Sequence, residues 1–549
     1  MMKKRITAIL LLLVMCVAFG ASSFALPPHR GYTYDNMGIP TAAPLAYTFE
    51  REVNGSAYNI GNFSEPTDVF VDEDDNIYVL DAKNSRIVIF NSDLELIRIL
   101  GRKDENVIGS DITYKGEVCV LNGASGLFVY EFFDEKLLYV ADKENSRILR
   151  FDMLEELDVK GSIEEVCAPI EVETYYGQPT ISLLDAQTPY KPMRLTVDRA
   201  ERMHVICQSI NRGIVKLNPD GTFNSFYGRP DVNVPAYEQF WRLISTNKQL
   251  EKMEKQVNTE YNSIDVDTDG FVWVVTRTLD QFAIKDSMLT DYDDVEGRKA
   301  YAPVKKLNSY GTDITSRTGA FPPVGDISAN AVTGTKAGSG NNPNIQLRKY
   351  VSVSAFIDIA IDDYGCYSVL DADRRKVFTY DGDGNLLFQF GNDGNQFGAF
   401  MRPVALDNFQ GDKLVVLDET DKSLMIFAPT DYGTNILNAV RAYQEGEYEE
   451  SEALWGEVLK MNSNNMLAYS GVGKSLYRSG EYKAAMEHFT VSKNVEYYSK
   501  ALEEYINVVI GNSFTWVFLG VIVIVVVMWL FKLAKQFRAF LRNGVKKVM

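Results

Sequence analysis

Three histidines, His29, His204 and His488, are all that this 549-residue chain offers for imidazole chemistry. A zinc triad or a nucleophile–base relay needs several such groups converging on one point. One near the N-terminus, one in a strand-like run and one in a helix-like run do not supply that. The hexapeptide "DVDTDG" (265–270) starts like a calcium loop, but its twelfth position is Thr276 rather than a bidentate Glu, so a β-turn is expected there. Cys119, Cys167, Cys207 and Cys366 form no CxxC pair and are expected as free or buried thiols. No catalytic residue, metal ligand or cofactor is therefore nominated. One cluster suits recognition instead: Tyr237, Phe240, Trp241 and Arg242 bring aromatic rings and a guanidinium together. Such groups anchor binding surfaces, and aromatic faces also suit sugar rings.

The elements that would carry this cluster announce themselves by repetition. "YVLDAKNSRIVIF" (78–90) returns sixty-one residues later as "YVADKENSRILRF" (139–151). The same sentence recurs around Asp371 with Lys376 in the Arg slot, and around Asp418 with Ser423 there. Weaker copies put Gln208 and Thr276 in the Asp slot, which makes six. Each copy is an alternating run, a turn, a second run, a polar turn and a third run. Period-two alternation broken every eight to twelve residues means short antiparallel strands, and repeated blades of them make a β-propeller. Asp81, Arg86, Asp142, Arg147, Asp371, Lys376 and Asp418 are the repeat markers, and a structural role is expected for them. The Asp can bind turn amides, and the Arg can reach toward an adjacent blade.

"GNFSEPTDVFVDEDDNIYVLDAKNSRIVIF" and "FGNDGNQFGAFMRPVAL" resemble NHL repeats, with Gly61, Phe63 and Pro66, and again Gly398, Phe400 and Pro403, at the entry positions. The resemblance covers about 45–430 and implies a six-bladed, mainly β propeller outside the cell. Slot spacings of 61, 66, 68, 95 and 47 residues exceed a bare blade, so inserts are expected: a helical one at 235–258 and a polar loop at 312–348.

From 434 the period changes to about 3.6. Two copies superpose at a shift of 34: Gly446 on Gly480, Tyr448 on Tyr482, Ser451 on Ala485, Trp455 on Phe489. That spacing resembles tetratricopeptide repeats over 434–505, though two copies are fewer than such arrays use, and Ser463 stands where the family favours Pro. The segment is either a docking groove or a spacer, with 495–511 as a capping helix.

The two ends carry membrane signals. Residues 1–25 have a basic head, an apolar run and small residues at Ser23 and Ala25, the pattern of an export signal, with 26–44 as a linker. "FTWVFLGVIVIVVVMWLF" (514–531) is uncharged and flanked by Trp516 and Trp529, so 513–532 is expected to span a membrane. The tail 533–549 is basic and free of acid, which places it in the cytoplasm. Of 56 Lys+Arg, three lie in the leader and six follow the span from Lys532 on; the 47 left face all 74 Asp+Glu, a body of about −27. Such a surface is a poor match for nucleic acid.

The expectation is a single-pass, extracytoplasmic recognition or scaffold protein for a glycan, peptide or protein rather than an enzyme. Similar propeller-plus-anchor proteins of Gram-positive bacteria look like accessories of solute uptake, which suggests a carbohydrate ABC transporter as partner. The rival is a metal-dependent, gluconolactonase-like hydrolase on the propeller axis.

Overall fold

The computed structural model describes residues 31–35, 40–154, 157, 162–181, 188–208, 210, 212–228, 261–277, 302–317, 323–326 and 354–545. Six antiparallel sheets follow one another along the chain. Blade 1 is Asp68–Val71, Ile77–Asp81, Arg86–Phe90 and Leu96–Leu100. Blade 2 is Gly126–Phe132, Glu135–Asp142, Arg147–Asp152 and Thr174–Tyr176. Blade 3 is Lys191–Val197, Met203–Gln208, Ile214–Leu217 and Phe223–Tyr227. Blade 4 shows three strands, Ser263–Val266, Val272–Val275 and Val304–Leu307. Blade 5 is Phe356–Ile361, Tyr367–Asp371, Lys376–Tyr380 and Leu386–Phe390.

Blade 6 closes the ring. Its strands Pro403–Phe409, Lys413–Asp418 and Ser423–Pro429 are completed by Tyr47–Asn54, from the other end of the domain. Seven residue pairs, from Ser423↔Asn54 to Pro429↔Tyr47, tie the last blade to the first residues of the domain. The first strand of each blade packs against the first strand of the next, all the way round. The core sits between the blades: Val53, Phe63, Val79, Phe90, Leu417 and Ile426 form one cluster across the closure. This is a six-bladed β-propeller.

Two stretches differ from their expected roles. The 26–44 linker contains a hairpin, Gly31–Tyr34 paired with Pro40–Ala43. Tyr32 and Tyr34 donate their hydroxyls to Asp326, and Lys376 Nζ lies 3.0 Å from the same carboxylate. The polar loop 312–348 is tied in at both of its described parts. Thr315 and Arg317 bond the edge of blade 4 at Lys306 N and Val304 O, and Asp326 is buried. The 235–258 insert lies outside the described residues.

The second unit is helical: α1 (Asp431–Glu445), α2 (Tyr448–Met461), α3 (Met466–Arg478), α4 (Tyr482–Ser492) and α5 (Val495–Val545). Consecutive helices α2 to α5 pack against each other. Trp455 and Phe489 are buried, and each ring sits where a Cβ on Gly471 or Gly473 of α3 would collide with it. Gly446 and Gly480 take φ of +88° and +87° in the turns, a conformation that favours glycine. The expected capping helix and the expected span are one uninterrupted helix, α5, long and apolar enough to cross a membrane by length and composition.

Candidate functional site

The repeat markers sit where second strand turns into third. Asp81 accepts the Ser64 amide at 2.7 Å, the Asn84 side chain at 2.8 Å and Arg86 Nε at 2.8 Å. Asp142 repeats this with Asn122 N, Asn145 and Arg147. Asp371 takes the amides of Ala355, Asp373 and Arg374, and Asp418 those of Met401, Arg402, Thr420 and Asp421. Four residues after each Asp, Ser85, Ser146, Arg375 and Lys422 adopt φ of +54° to +57°, so one tight turn is built four times. Arg86 and Arg147 bond loop carbonyls, Ile60 and Ile108 for the first and Val120 for the second. Lys376 departs from the pattern and serves Asp326 and Tyr32 instead. These side chains are occupied with backbone. Burial raises the Asp81 and Asp371 carboxyls above the ordinary range, with Arg86 opposing it at Asp81.

A second set of aspartates, which the sequence reading passed over, lies on the innermost strands. Asp68, Asp265, Asp358 and Asp407 each stand on the first strand of a blade, where Asp is normally disfavoured. Each reaches to the next blade. Asp68 Oδ2 accepts Leu127 N of blade 2 at 2.8 Å, and Asp358 Oδ2 accepts Leu406 N of blade 6 at 2.8 Å. Asp407 Oδ2 accepts Val71 N of blade 1 at 2.7 Å, and Asp265 is bonded by the Ile361 amide of blade 5. The other oxygen takes the residue's own following amide, as at Val69, Val266 and Asn408. Ser263 Oγ donates to Asp358 at 2.6 Å, and Arg194 of blade 3 forms an ion pair with Asp68. Burial pushes Asp265 up to about 7, with Asp358 and Asp267 adding to it. Burial raises Asp407 well above the carboxylate range, helped by Asp265 and Asp358, and raises Asp358 against the pull of Arg194.

Among the described residues, one group of three acids brings its oxygens within 4.8 Å of one another: Asp72, Asp74 and Glu131. Its centre is taken. Lys136 Nζ lies 2.7, 2.8 and 2.7 Å from the three carboxylates, an internal ammonium where a metal would otherwise sit. Burial opposes the charge on Lys136, yet the three hydrogen-bonded carboxylates hold its pKa above the lysine range. His204 is equally structural: it bonds Asp198 at 3.0 Å and Tyr227 at 2.5 Å inside blade 3. Asp198 caps the turn through the Ala200 and Arg202 amides, as Asp72 does through those of Asp74 and Asn76. The "DVDTDG" stretch is a turn of this kind. Asp267 binds Phe271 N and Trp273 Nε1, and Gly270 has φ +83°. Among the described residues, Cys119, Cys167, Cys207 and Cys366 form no disulfide.

Tyr237, Phe240, Trp241 and Arg242 lie outside the described residues. The residues flanking that stretch, Gly228 and Tyr261, close on each other through a 2.6 Å bond from Tyr261 Oη to Gly228 O. They lie at the ends of strands on the face that also carries the repeat-marker turns.

The protein is thus a closed six-bladed propeller whose polar interior staples blade to blade. A model of the NHL repeat matches residues 63–90, the entry and first three strands of blade 1. Comparison with curated proteins yields no match. Among solved structures, virginiamycin B lyase from Staphylococcus aureus is similar at 10% identity and a TM-score of 0.33, covering 70% of this chain and 89% of its own. Regucalcin from Agrobacterium tumefaciens, a calcium-binding protein, matches at 8% identity and a TM-score of 0.34, covering 69% and 94%. Likenesses this distant carry no argument about activity.

Proposed function

We propose that the chain is a membrane-anchored, extracytoplasmic recognition or scaffold protein, binding a glycan, peptide or protein through its propeller. The observation that carries this reading is the state of the carboxylates a catalyst would use. Each axial Asp spends its oxygens on backbone amides of its own and the neighbouring blade, and the one tight acid trio among the described residues encloses Lys136. A residue that holds blades together in this way is poorly placed to bind substrate, and function then falls to the loops. The aromatic cluster Tyr237, Phe240, Trp241 and Arg242 is the proposed recognition element. The 434–505 segment is proposed as tetratricopeptide-like, because its buried Trp455 and Phe489 repeat at 34 residues against small residues of α3. Residues 1–25 are proposed as an export signal and α5 as the anchor, with a carbohydrate transporter complex as partner.

The test replaces 236–257 by a short Gly-Ser turn in the full chain. Melting should stay within a few degrees of the parent, while capture of the transporter subunit or glycan by the purified protein is lost. Lactone hydrolysis with added calcium, magnesium or zinc that survives the replacement would instead establish the hydrolase.

A further inference from the structure

Among the helices of the second unit, charge is sorted by element. Helix α2 carries Glu449, Glu450, Glu452 and Glu457 against a single cation, Lys460. Helix α3, alone among α1 to α5, has no acidic residue, and it carries Lys474 and Arg478. Four positions apart, these two stand on one helix face. Each reaches a phenol of a neighbouring helix. Arg478 Nε donates to Tyr443 Oη of α1 at 3.3 Å, and Lys474 Nζ lies 4.9 Å from the centre of the Tyr497 ring of α5. Lys500 Nζ of α5 approaches the same ring at 4.7 Å, and the Tyr477 ring meets it edge-on at 6.4 Å. One row of cations and phenols therefore crosses α1, α3 and α5. Arg478 and Lys500 are exposed, while Tyr443, Lys474, Tyr477 and Tyr497 are half-buried. Glu496 lies 2.6 Å from Lys500, an exposed pair of the kind that contributes little and exchanges with water.

We propose that this row is a docking face for a short, extended, acidic segment of a partner protein, with acid at alternate positions. On a helix, side chains four positions apart have Cβ atoms about 5–6 Å apart, and every second residue of an extended chain recurs at about 6.6 Å. The two spacings match, so successive carboxylates can pair with Arg478 and Lys474, and Lys500 extends the row. The phenols between the cations suit the intervening part of such a segment, offering apolar ring faces and hydroxyl groups. Charge also separates a short peptide from a long polyanion. The chain carries a net −18, so a polymer running past the row meets an acidic surface, whereas a few residues engage the row alone. The face belongs to the helical segment, and it stands or falls separately from the recognition element proposed at 236–257.

The experiment is fluorescence anisotropy of the full chain in non-ionic detergent with two labelled decapeptides, (Glu-Ser)5 and (Gln-Ser)5. The acidic peptide should bind with a Kd on the order of 10–100 μM, more weakly as salt rises, and the neutral one should not bind. Arg478→Gln and Lys474→Gln should each weaken binding about fivefold. Lys460→Gln, which removes the same charge from α2, should leave it unchanged, as should replacement of 236–257. Should Lys474→Gln fail to fold, the exposed positions Arg478→Gln and Lys500→Gln carry the same test. Absence of binding up to about 1 mM peptide, or equal binding of the neutral peptide, would overturn the proposal. So would undiminished binding in the α3 variants, which would assign the peptide to the basic tail, or its loss on replacing 236–257, which would assign it to the propeller. Inorganic polyphosphate displacing the peptide at an equal or lower concentration of charge would overturn it too, because the row would then be reading charge and not an extended acidic segment.

Discussion

Lys136 shows how one side chain can decide what a carboxylate cluster is. Three acids around a divalent ion and three acids around an ammonium are nearly the same electrostatic object, but the second is closed to ligands. Lys136 is 7% exposed, so its removal leaves Asp72 and Glu131 facing each other without a cation in a dry junction between blades 1 and 2. Lys136→Met should therefore destabilise the propeller by about 3–5 kcal/mol, the usual cost of orphaning a buried ion partner. Urea titration of the purified variant measures this, and an unchanged midpoint would mean that the three acids are not held by Lys136. Sequence reading at this scale was partial. Asp81, Asp142, Asp371 and Asp418 stand out because polar turns punctuate apolar runs, and their turns are built alike. Asp68, Asp265, Asp358 and Asp407 were passed over because one Asp inside a short alternating run reads as the polar face of a strand. The available signal was that "TDVFV", "IDVD", "FIDIAI" and "VALDNF" put it at the matching place on the first strand of four blades.

Elements made of local contrast were legible, and elements defined by distant pairing were not. The strands of blades 1, 2, 5 and 6 follow the period-two pattern, and α2 to α4 follow the 34-residue shift. Strand Tyr47–Asn54 carries no such mark, because its role is set by a partner 369 to 382 residues away, Ser423–Pro429. The hairpin Gly31–Tyr34/Pro40–Ala43 was missed for the same reason: Tyr32 and Tyr34 are explained only by Asp326. Among the helices the decisive contact is sequence-visible, a large ring opposite a glycine. Trp455 is 4% exposed and lies over Gly471. Trp455→Ala should destabilise the α1–α4 segment by about 3–5 kcal/mol. In a thermal scan followed by far-ultraviolet circular dichroism, the helical component should melt early while the β component keeps its midpoint. A single unchanged transition would show that Trp455 contributes no packing and would remove the basis for reading these helices as repeats.

At the scale of the whole chain, the distribution of charge argues for an orientation. Helix α5 carries an uncharged stretch, 514–531, of about 27 Å at 1.5 Å per residue, close to the ~30 Å of a hydrocarbon core. On its N-terminal side stands a body with 74 acidic residues, and beyond it six cations with no acid. Positive flanks remain on the cytoplasmic side, whereas a strongly acidic folded domain is indifferent to that rule and follows its export signal. Both considerations favour the proposed orientation, with the propeller outside. The prediction is that protease added to intact cells removes the propeller and leaves an epitope tag placed after Met549 protected until the cells are permeabilised. Loss of the tag from intact cells, with the propeller spared, would reverse the orientation. It would also place the 236–257 cluster in the cytoplasm, where an extracellular glycan cannot reach it.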